Sequence, residues 1–387
     1  MPADDQPLIA AARRLAPALA ARADETEHNR RIPLDLVGAM TEDGVFRMLV
    51  PRALGGGEVE PIVFLRVLET LGEADGSAGW CAMIGSTSGL LSAYLAPEAA
   101  ATIYGDPRTV SGGVYAPSGT AVVTAGGYRV SGRWAFASGC EHCSWLMGGS
   151  VILENGAPRL LPNGAPDAPL MLFPARDAAI VDTWSASGLR GTGSHDIVVD
   201  DVFVPAERAV SLVRDRPRAE GALYAFPVFG LLAVGIAGVA LGIARRAIAE
   251  LVELAGGKTP TGSRRVLAER PTAQVQVSEA EALVRSGHAF LGEAIDAAWD
   301  VARREGVIDL ARRADVRLAA TNATLSAAKA VDLMYNAGGG TAVYATSPLQ
   351  RCFRDVHVVT QHLMVAPATY ELTGRLLLGV ATDAALL

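Results

Sequence analysis

The apolar positions change period twice along the chain. Between residues 7 and 48 they recur every three or four residues (Leu8, Ala11, Ala12 and Leu15, then Leu34, Val37 and Met40), the spacing that lines one face of an α-helix, and Pro33 stands where a helix can begin. Two amphipathic helices are expected there. Gly44, Pro51 and Gly55-Gly56-Gly57 break the pattern, and a second helical pair follows over residues 61–95, divided by Asp75-Gly76-Ser77 as a stop and a new N-cap. Beyond Gly105 the period shortens. Residues 109–205 are rich in Val, Gly, Thr and Ser, and the runs 121–124, 128–130, 145–153, 170–173 and 197–204 read as strands of an antiparallel lobe. The helical period then returns in four long stretches, 223–255, 272–303, 309–335 and 349–379. The expected architecture is α+β: a helical domain over 1–108, a β-domain over 109–215 and a helical domain over 216–387.

One stretch leaves the class of the chain open. Residues 221–244 carry no charge and are long enough to span a bilayer, for which ~20 apolar residues suffice; Gly235, Gly238 and Gly242 equally suit a helix buried on all sides within a bundle. The net charge of −7 and a pI near 5.5 disfavour nucleic acid or an anionic membrane as partner. No cationic segment followed by an apolar one opens the chain, so a cytoplasmic location is expected. The four cysteines are too few to staple 387 residues, which makes reduced thiols the default.

Candidate chemistry falls in four places. In the first, Trp134-Ala-Phe136-Ala-Ser138-Gly139 ends a strand in aromatics and small polar residues, which suits a flat, polar-edged ring as well as it suits a plain strand and turn. Cys140, His142 and Cys143 follow it, but a structural zinc needs four ligands, and Cys81 and Cys352 are not spaced to complete the set; no metal is expected. In the second, Trp184-Ser-Ala-Ser-Gly188-Leu-Arg190-Gly-Thr192-Gly193-Ser194 combines glycines with hydroxyls in one turn, the material of a ligand-contacting loop or of a glycine-rich hairpin. His195 and Asp196, next along, read as surface groups. The third is Arg270 and Gln274 at a helix start. The fourth joins Gly338-Gly339-Gly340 to Arg351, Arg354 and Asp355, where arginines and a helix N-terminus suit a phosphate or, more plainly, a charged first turn. His362 stands apart in an apolar setting, Leu363-Met364-Val365-Ala366, where an imidazole can carry a proton near neutral pH.

The stretches DLVGAMTEDGVFRMLVPRALGGGE, GYRVSGRWAFASG, GLRGTGSHDIVVDDVFVP, ERPTAQVQ and LQRCFRDVH together resemble the acyl-CoA dehydrogenase superfamily over essentially the whole chain. That resemblance implies an N-terminal α-helical lobe, a central β-lobe and a C-terminal four-helix bundle, usually in a homotetramer. It turns the uncharged segment into the first bundle helix and removes a membrane span. Dehydrogenases of the superfamily place a carboxylate base shortly after the Arg-Asp of the C-terminal helix, whereas here residues 356–370 hold none; the alternative position, residues 224–244, also holds none.

Arg354-Asp355, six residues and then His362 resemble instead the oxygenase components of two-component aromatic hydroxylases. The implied cofactors are reduced flavin, FMN or FAD, delivered by a separate NAD(P)H-dependent flavin reductase, and O2, reacting through a flavin C4a-hydroperoxide with a small aromatic or heteroatom substrate. The resemblance assigns proton chemistry to His362 and a hydrogen bond near flavin N5 to Ser138. Trp134, Phe136, Gly139, Trp184, Thr192, Gly193 and Ser194 are assigned to the ring. Arg270, Gln274, Gly338, Gly339 and Arg354 are assigned to the phosphate or adenine end. Trp80, Tyr94, His142 and His362 are assigned to the substrate. Two alternatives stand beside this: an acyl-CoA dehydrogenase with a displaced base such as Glu371, and a flavin-fold binding protein without turnover.

Overall fold

The computed structural model describes residues 6–212, 214–384 and 387. Six helices form the N-terminal layer: α1 (Pro7–Ala21), α2 (Ala23–Asn29), α3 (Leu34–Glu42), α4 (Pro61–Ala74), α5 (Gly76–Gly89) and α6 (Pro97–Tyr104). The strands are β1 (Ser111–Thr124), β2 (Gly127–Ala137), β3 (Trp145–Glu154), β4 (Ala157–Pro158), β5 (Leu170–Pro174), β6 (Ala179–Val181), β7 (His195–Pro205) and β8 (Ala209–Val210). The C-terminal layer holds α7 (Val228–Gly257), α8 (Pro271–Glu305), α9 (Leu310–Gly338), α10 (Pro348–Val359) and α11 (Ala368–Leu377). Proline opens α1, α4, α6, α8 and α10, where its missing N–H removes nothing from the helix. Asp75 and Asp309 cap α5 and α9 through side-chain bonds from Ala78 N (2.7 Å) and Arg312 N (3.0 Å).

The sheet runs β6-β7-β2-β1-β3-β5-β8, with β4 on β3, and is antiparallel except that β1 and β3 are parallel. This corrects the all-antiparallel expectation. The link 138–144 carries the chain from the end of β2 across to the far side of β1, so β3 enters in β1's own direction. Two-residue alternation is the same in both senses, which is why the strand pattern is blind to it. The β-lobe core is built around Trp134, fully buried, its Nε1–H donating to Gly149 O (2.8 Å). A Cβ at Gly119, Gly132 or Gly148 would collide with that indole.

The uncharged segment supplies the N-terminal half of α7, a helix apolar enough to cross a membrane by composition, with 89% of its most apolar window buried by protein. It packs against α4, α5, α9 and α10. Glycines let α4 approach it to backbone contact: a Cβ at Gly72 would lie 2.9 Å from Val239 O, and one at Gly242 would collide with Glu69 O. The single C-terminal helix expected over 349–379 is instead α10, an irregular turn over 360–367 and α11. α10 has ended at Val359, and Pro367, the N-cap of α11, lacks the N–H that a helix running through from residue 363 would need, so α11 starts afresh there. His362 sits in that turn.

Candidate active site

Three layers meet where β2 ends. Gly188 lies so close to α10 that a Cβ would collide with Arg354 O, and a Cβ at Gly191 would strike Thr26, so these two glycines serve packing of the loop between α2 and α10. Leu189 between them holds a left-handed backbone (φ 46°), secured by its N–H bond to Asp355 Oδ1 (2.6 Å). Asp355 is buried, and burial, reinforced by the nearby Asp75 carboxyl, raises it to about 7. The residues inherited as a phosphate anchor thus hold the fold. Arg351 pairs with Asp24 and with Glu27 (2.7 Å), while Arg354 pairs with Glu27 (2.6 Å), Gln350 (2.6 Å) and Ser187 O. Arg354, assigned to the cofactor, thus bonds within the chain through all three of its guanidinium nitrogens.

The secured loop presents a row of hydroxyls. Trp80 Nε1 on α5 donates to Ser138 Oγ (3.0 Å); Ser138 Oγ lies 2.7 Å from Ser194 Oγ; Ser194 Oγ lies 2.7 Å from Thr192 Oγ1; Thr192 Oγ1 donates to Leu189 O (2.8 Å). Four residues assigned from three separate stretches are therefore one connected unit. On the other side of Trp80, the His362 ring packs edge-on at 5.7 Å between centroids. Met364 N donates to His362 Nδ1 (3.2 Å), and Met364 O accepts from the buried Arg317 (2.9 Å). Burial, with Arg317 adding to it, lowers the His362 pKa to about 4. A neutral ring whose Nδ1 accepts carries its proton on Nε2, so His362 is a hydrogen-bond donor at neutral pH rather than a base.

Beside Ser138 the sheet opens. Pairing of β1 with β2 stops at Gly119↔Gly132, and the β1–β3 register shifts between Val114 and Gly119, so residues 115–118 leave the ladder. Phe136 next to this gap has φ 66° and is 71% exposed, an unusual state for a large aromatic, and Trp184 meets it edge-on at 6.2 Å. Trp184 in turn donates to Leu189 O (3.1 Å). The sequence signal for this bulge is the interruption of a strand by Gly112-Gly113 and Pro117-Ser118-Gly119, which strand periodicity alone does not register.

Other assigned residues lie elsewhere. Trp134 is a correction: sealed inside the β-lobe, it reaches no ligand. Gly139, just after β2, and Gly193, just before β7, adopt left-handed backbones (φ 69° and 49°), and Gly139 N donates to Thr192 O (2.8 Å). His142 packs on Phe46 at 5.5 Å beside Gly139, and burial lowers it to about 4. Tyr94 is in the apolar cluster with Leu91, Leu95 and Tyr115, fourteen residues along the same helical run from Trp80, about 20 Å away by helical rise. Arg270 and Gln274 are exposed at the start of α8, at the end of the bundle where Lys258 bonds to Gly338 O and Gly339 turns (φ 54°). His195 is not a surface group: it is buried, and Nδ1 accepts from Thr183 N and Trp184 N (both 3.2 Å), which positions Trp184. Cys140 and Cys143 donate to Gly193 O (3.6 Å) and Gly139 O (3.3 Å); burial raises both thiols. Glu371, the displaced-base candidate, is exposed on α11.

Comparison with known proteins is consistent along the chain. Family models for the acyl-CoA dehydrogenase N-terminal and C-terminal domains match residues 3–99 and 234–367. Indole-3-acetate monooxygenase of Pseudomonas putida is 37% identical over 93% of this chain and 90% of its own. The flavin-dependent monooxygenase oxygenase subunit HsaA of Rhodococcus jostii is 34% identical over 90% of this chain and 92% of its own. The structure of XiaF from a Streptomyces species, in complex with FADH2 and glycerol, superposes with a TM-score of 0.86 at 26% identity, covering 97% of this chain and 95% of that one.

Proposed function

The chain belongs to the acyl-CoA dehydrogenase family, and we propose that it works there as the oxygenase component of a two-component flavin-dependent monooxygenase, hydroxylating a small aromatic substrate with reduced flavin and O2. One observation carries the assignment of roles: a single indole, Trp80, touches both Ser138 and His362. The buried carboxyl groups of Asp75 and Asp355 are engaged by Ala78 N and Leu189 N, leaving a neutral donor where a dehydrogenase needs a base.

The groups present fit a flavin. Exposed Phe136 and half-buried Trp184 offer aromatic faces, the backbone of residues 115–118 stands outside the sheet ladder beside them, and Ser138 supplies a hydroxyl at the inner edge. Reduced flavin, when bound, supplies the two electrons with which O2 is activated. Trp80 and His142 form aromatic walls for the substrate, and His362 Nε2–H donates to an oxygen held in front of it. That bond orients the oxygen without a change of charge on the ring. The burial of Trp80, Ser138 and Thr192 keeps bulk water away.

Arg270, Gln274, Gly338 and Gly339 take the phosphate end of a flavin bound partly by a second copy of the chain, in a homotetramer. Support comes from exposed Val275, Val343 and Tyr344 lying beside those residues in sequence. Turnover with an NAD(P)H:flavin reductase and candidate phenols or indoles tests the function. His362→Ala is expected to lose more than about tenfold in product per flavin oxidised, the loss of one directed donor, while still binding reduced flavin. Anaerobic bleaching of bound FAD by an acyl-CoA, with no oxygenated product under air, would refute the assignment.

A further inference from the structure

The row of hydroxyls that ends at Ser138 has only one possible direction. Its first member, the Trp80 indole N–H, donates and never accepts; its last, the Leu189 carbonyl, accepts and never donates. A hydroxyl has one proton. Thr192 spends its proton on Leu189 O, because the 2.8 Å contact with an acceptor-only oxygen requires it. Ser194, 2.7 Å from Thr192 Oγ1, must then donate to Thr192, and Ser138, 2.7 Å from Ser194 Oγ, must donate to Ser194. Ser138 also accepts from Trp80 (3.0 Å). Its one remaining valence is a lone pair.

The terminus is held firmly. Leu189 O also accepts from Thr192 N (3.1 Å) and Trp184 Nε1 (3.1 Å), and the Leu189 amide is bonded to buried Asp355 (2.6 Å). All four side chains of the row are buried, which leaves little freedom for water to insert and reverse a rotor.

We infer that this one-way row makes Ser138 an acceptor-only contact and thereby selects the redox state of the flavin, with Ser194 and Thr192 as positioning residues that fix the Ser138 rotor. The inference rests on the flavin reading given above. N5 of reduced flavin carries a proton and donates; N5 of oxidised flavin is a bare acceptor. A lone pair on Ser138 satisfies the first and faces the lone pair of the second, so the fold favours the form delivered by a reductase and releases the spent one. Removing Ser194 or the Thr192 hydroxyl frees the Ser138 proton to turn outward and bond oxidised N5.

The test is equilibrium binding by the full-length protein. Photoreduced FMN and FAD are titrated anaerobically and oxidised FMN and FAD in air, against the unaltered protein, Ser194→Ala, the isosteric Thr192→Val, and Ser194→Thr, which keeps the hydroxyl. The unaltered protein is expected to prefer reduced flavin. That preference should shrink by about tenfold in Ser194→Ala and Thr192→Val, chiefly through tighter binding of the oxidised form, and persist in Ser194→Thr. A merely structural role would weaken both forms together. An unchanged ratio in both hydroxyl-deleted variants, or parallel weakening of the two forms, overturns the inference while leaving the flavin site standing. No binding of reduced flavin by the unaltered protein overturns the flavin reading itself.

Discussion

Asp355 and His362 are seven residues apart and buried with opposite consequences for charge. Burial raises Asp75 to about 6 and Asp355 to about 7, so over pH 3.8–7 the folded chain retains protons that the unfolded chain releases, and these two groups make stability fall as pH rises. Burial lowers His142 and His362 to about 4. Between pH 6.5 and 4 the unfolded chain takes up protons that the folded chain refuses, so these two make stability fall as pH falls. The pairs oppose each other across pH 4–6.5. Asp355→Asn keeps an oxygen for Leu189 N–H and deletes one titration, so its melting temperature should drop more steeply than that of the unaltered chain on acidification from pH 6.5 to 4. Parallel melting curves across that range would show that Asp355 keeps no proton in the fold.

At the scale of elements, α2 and α10 are joined by charge where the rest of the molecule is joined by apolar packing. Glu27 is half-buried between two guanidiniums; burial raises its pKa, but Arg354 and Arg351 together prevail and hold it below the usual carboxylate range. Glu27→Ala leaves both arginines short of a partner and loosens α10 against the loop 188–194. The cost should be roughly 1–2 kcal/mol by chemical denaturation, the pair being partly solvated, with weaker reduced-flavin binding because Leu189 is secured from α10. The α4–α7 contact obeys a different rule, backbone against backbone through Gly72 and Gly242, and owes nothing to charge.

For the whole molecule, the apolar period of α7 is explained by its neighbours: it is wrapped by helices from both helical layers and forms their shared core. What stays exposed is also apolar in places, including Val275, Val343, Tyr344 and Leu363. In the proposed tetramer these surfaces are covered. Sedimentation velocity should find a mass of four chains, and Tyr344→Glu, placing a charge in a buried contact, should shift it toward smaller species with loss of flavin affinity. A monomer that binds reduced flavin at full affinity would remove the second copy from the site.

Much of this was legible in one dimension, because periodicity and punctuation are local. The order of helices, sheet and long helices follows from the switch between periods of 3.6 and 2 and from prolines and capping aspartates at the starts. Ser138, Thr192, Ser194, Phe136, Trp184 and His362 could be singled out as polar or aromatic residues among glycines or apolar neighbours. Their connection could not, because hydrogen bonds between residues 80, 138, 194 and 192 depend on where β2, β7 and α5 meet. The same limit explains the misplaced groups. Trp134 has the same composition signal as Phe136, and two residues apart on a regular strand they would share a face; the slip of β2 against β7 between Trp134 and Ala137, with Phe136 at φ 66°, decides which is sealed and which is open. Arg354 reads as an anion ligand, and the sequence is silent about the Glu27 that α2 brings against it. His362 is marked by the sequence as chemically active, but whether it gives or takes a proton was decided by Met364 N folding back onto Nδ1, a contact that exists because the chain leaves helical geometry after Val359 and turns before α11 begins.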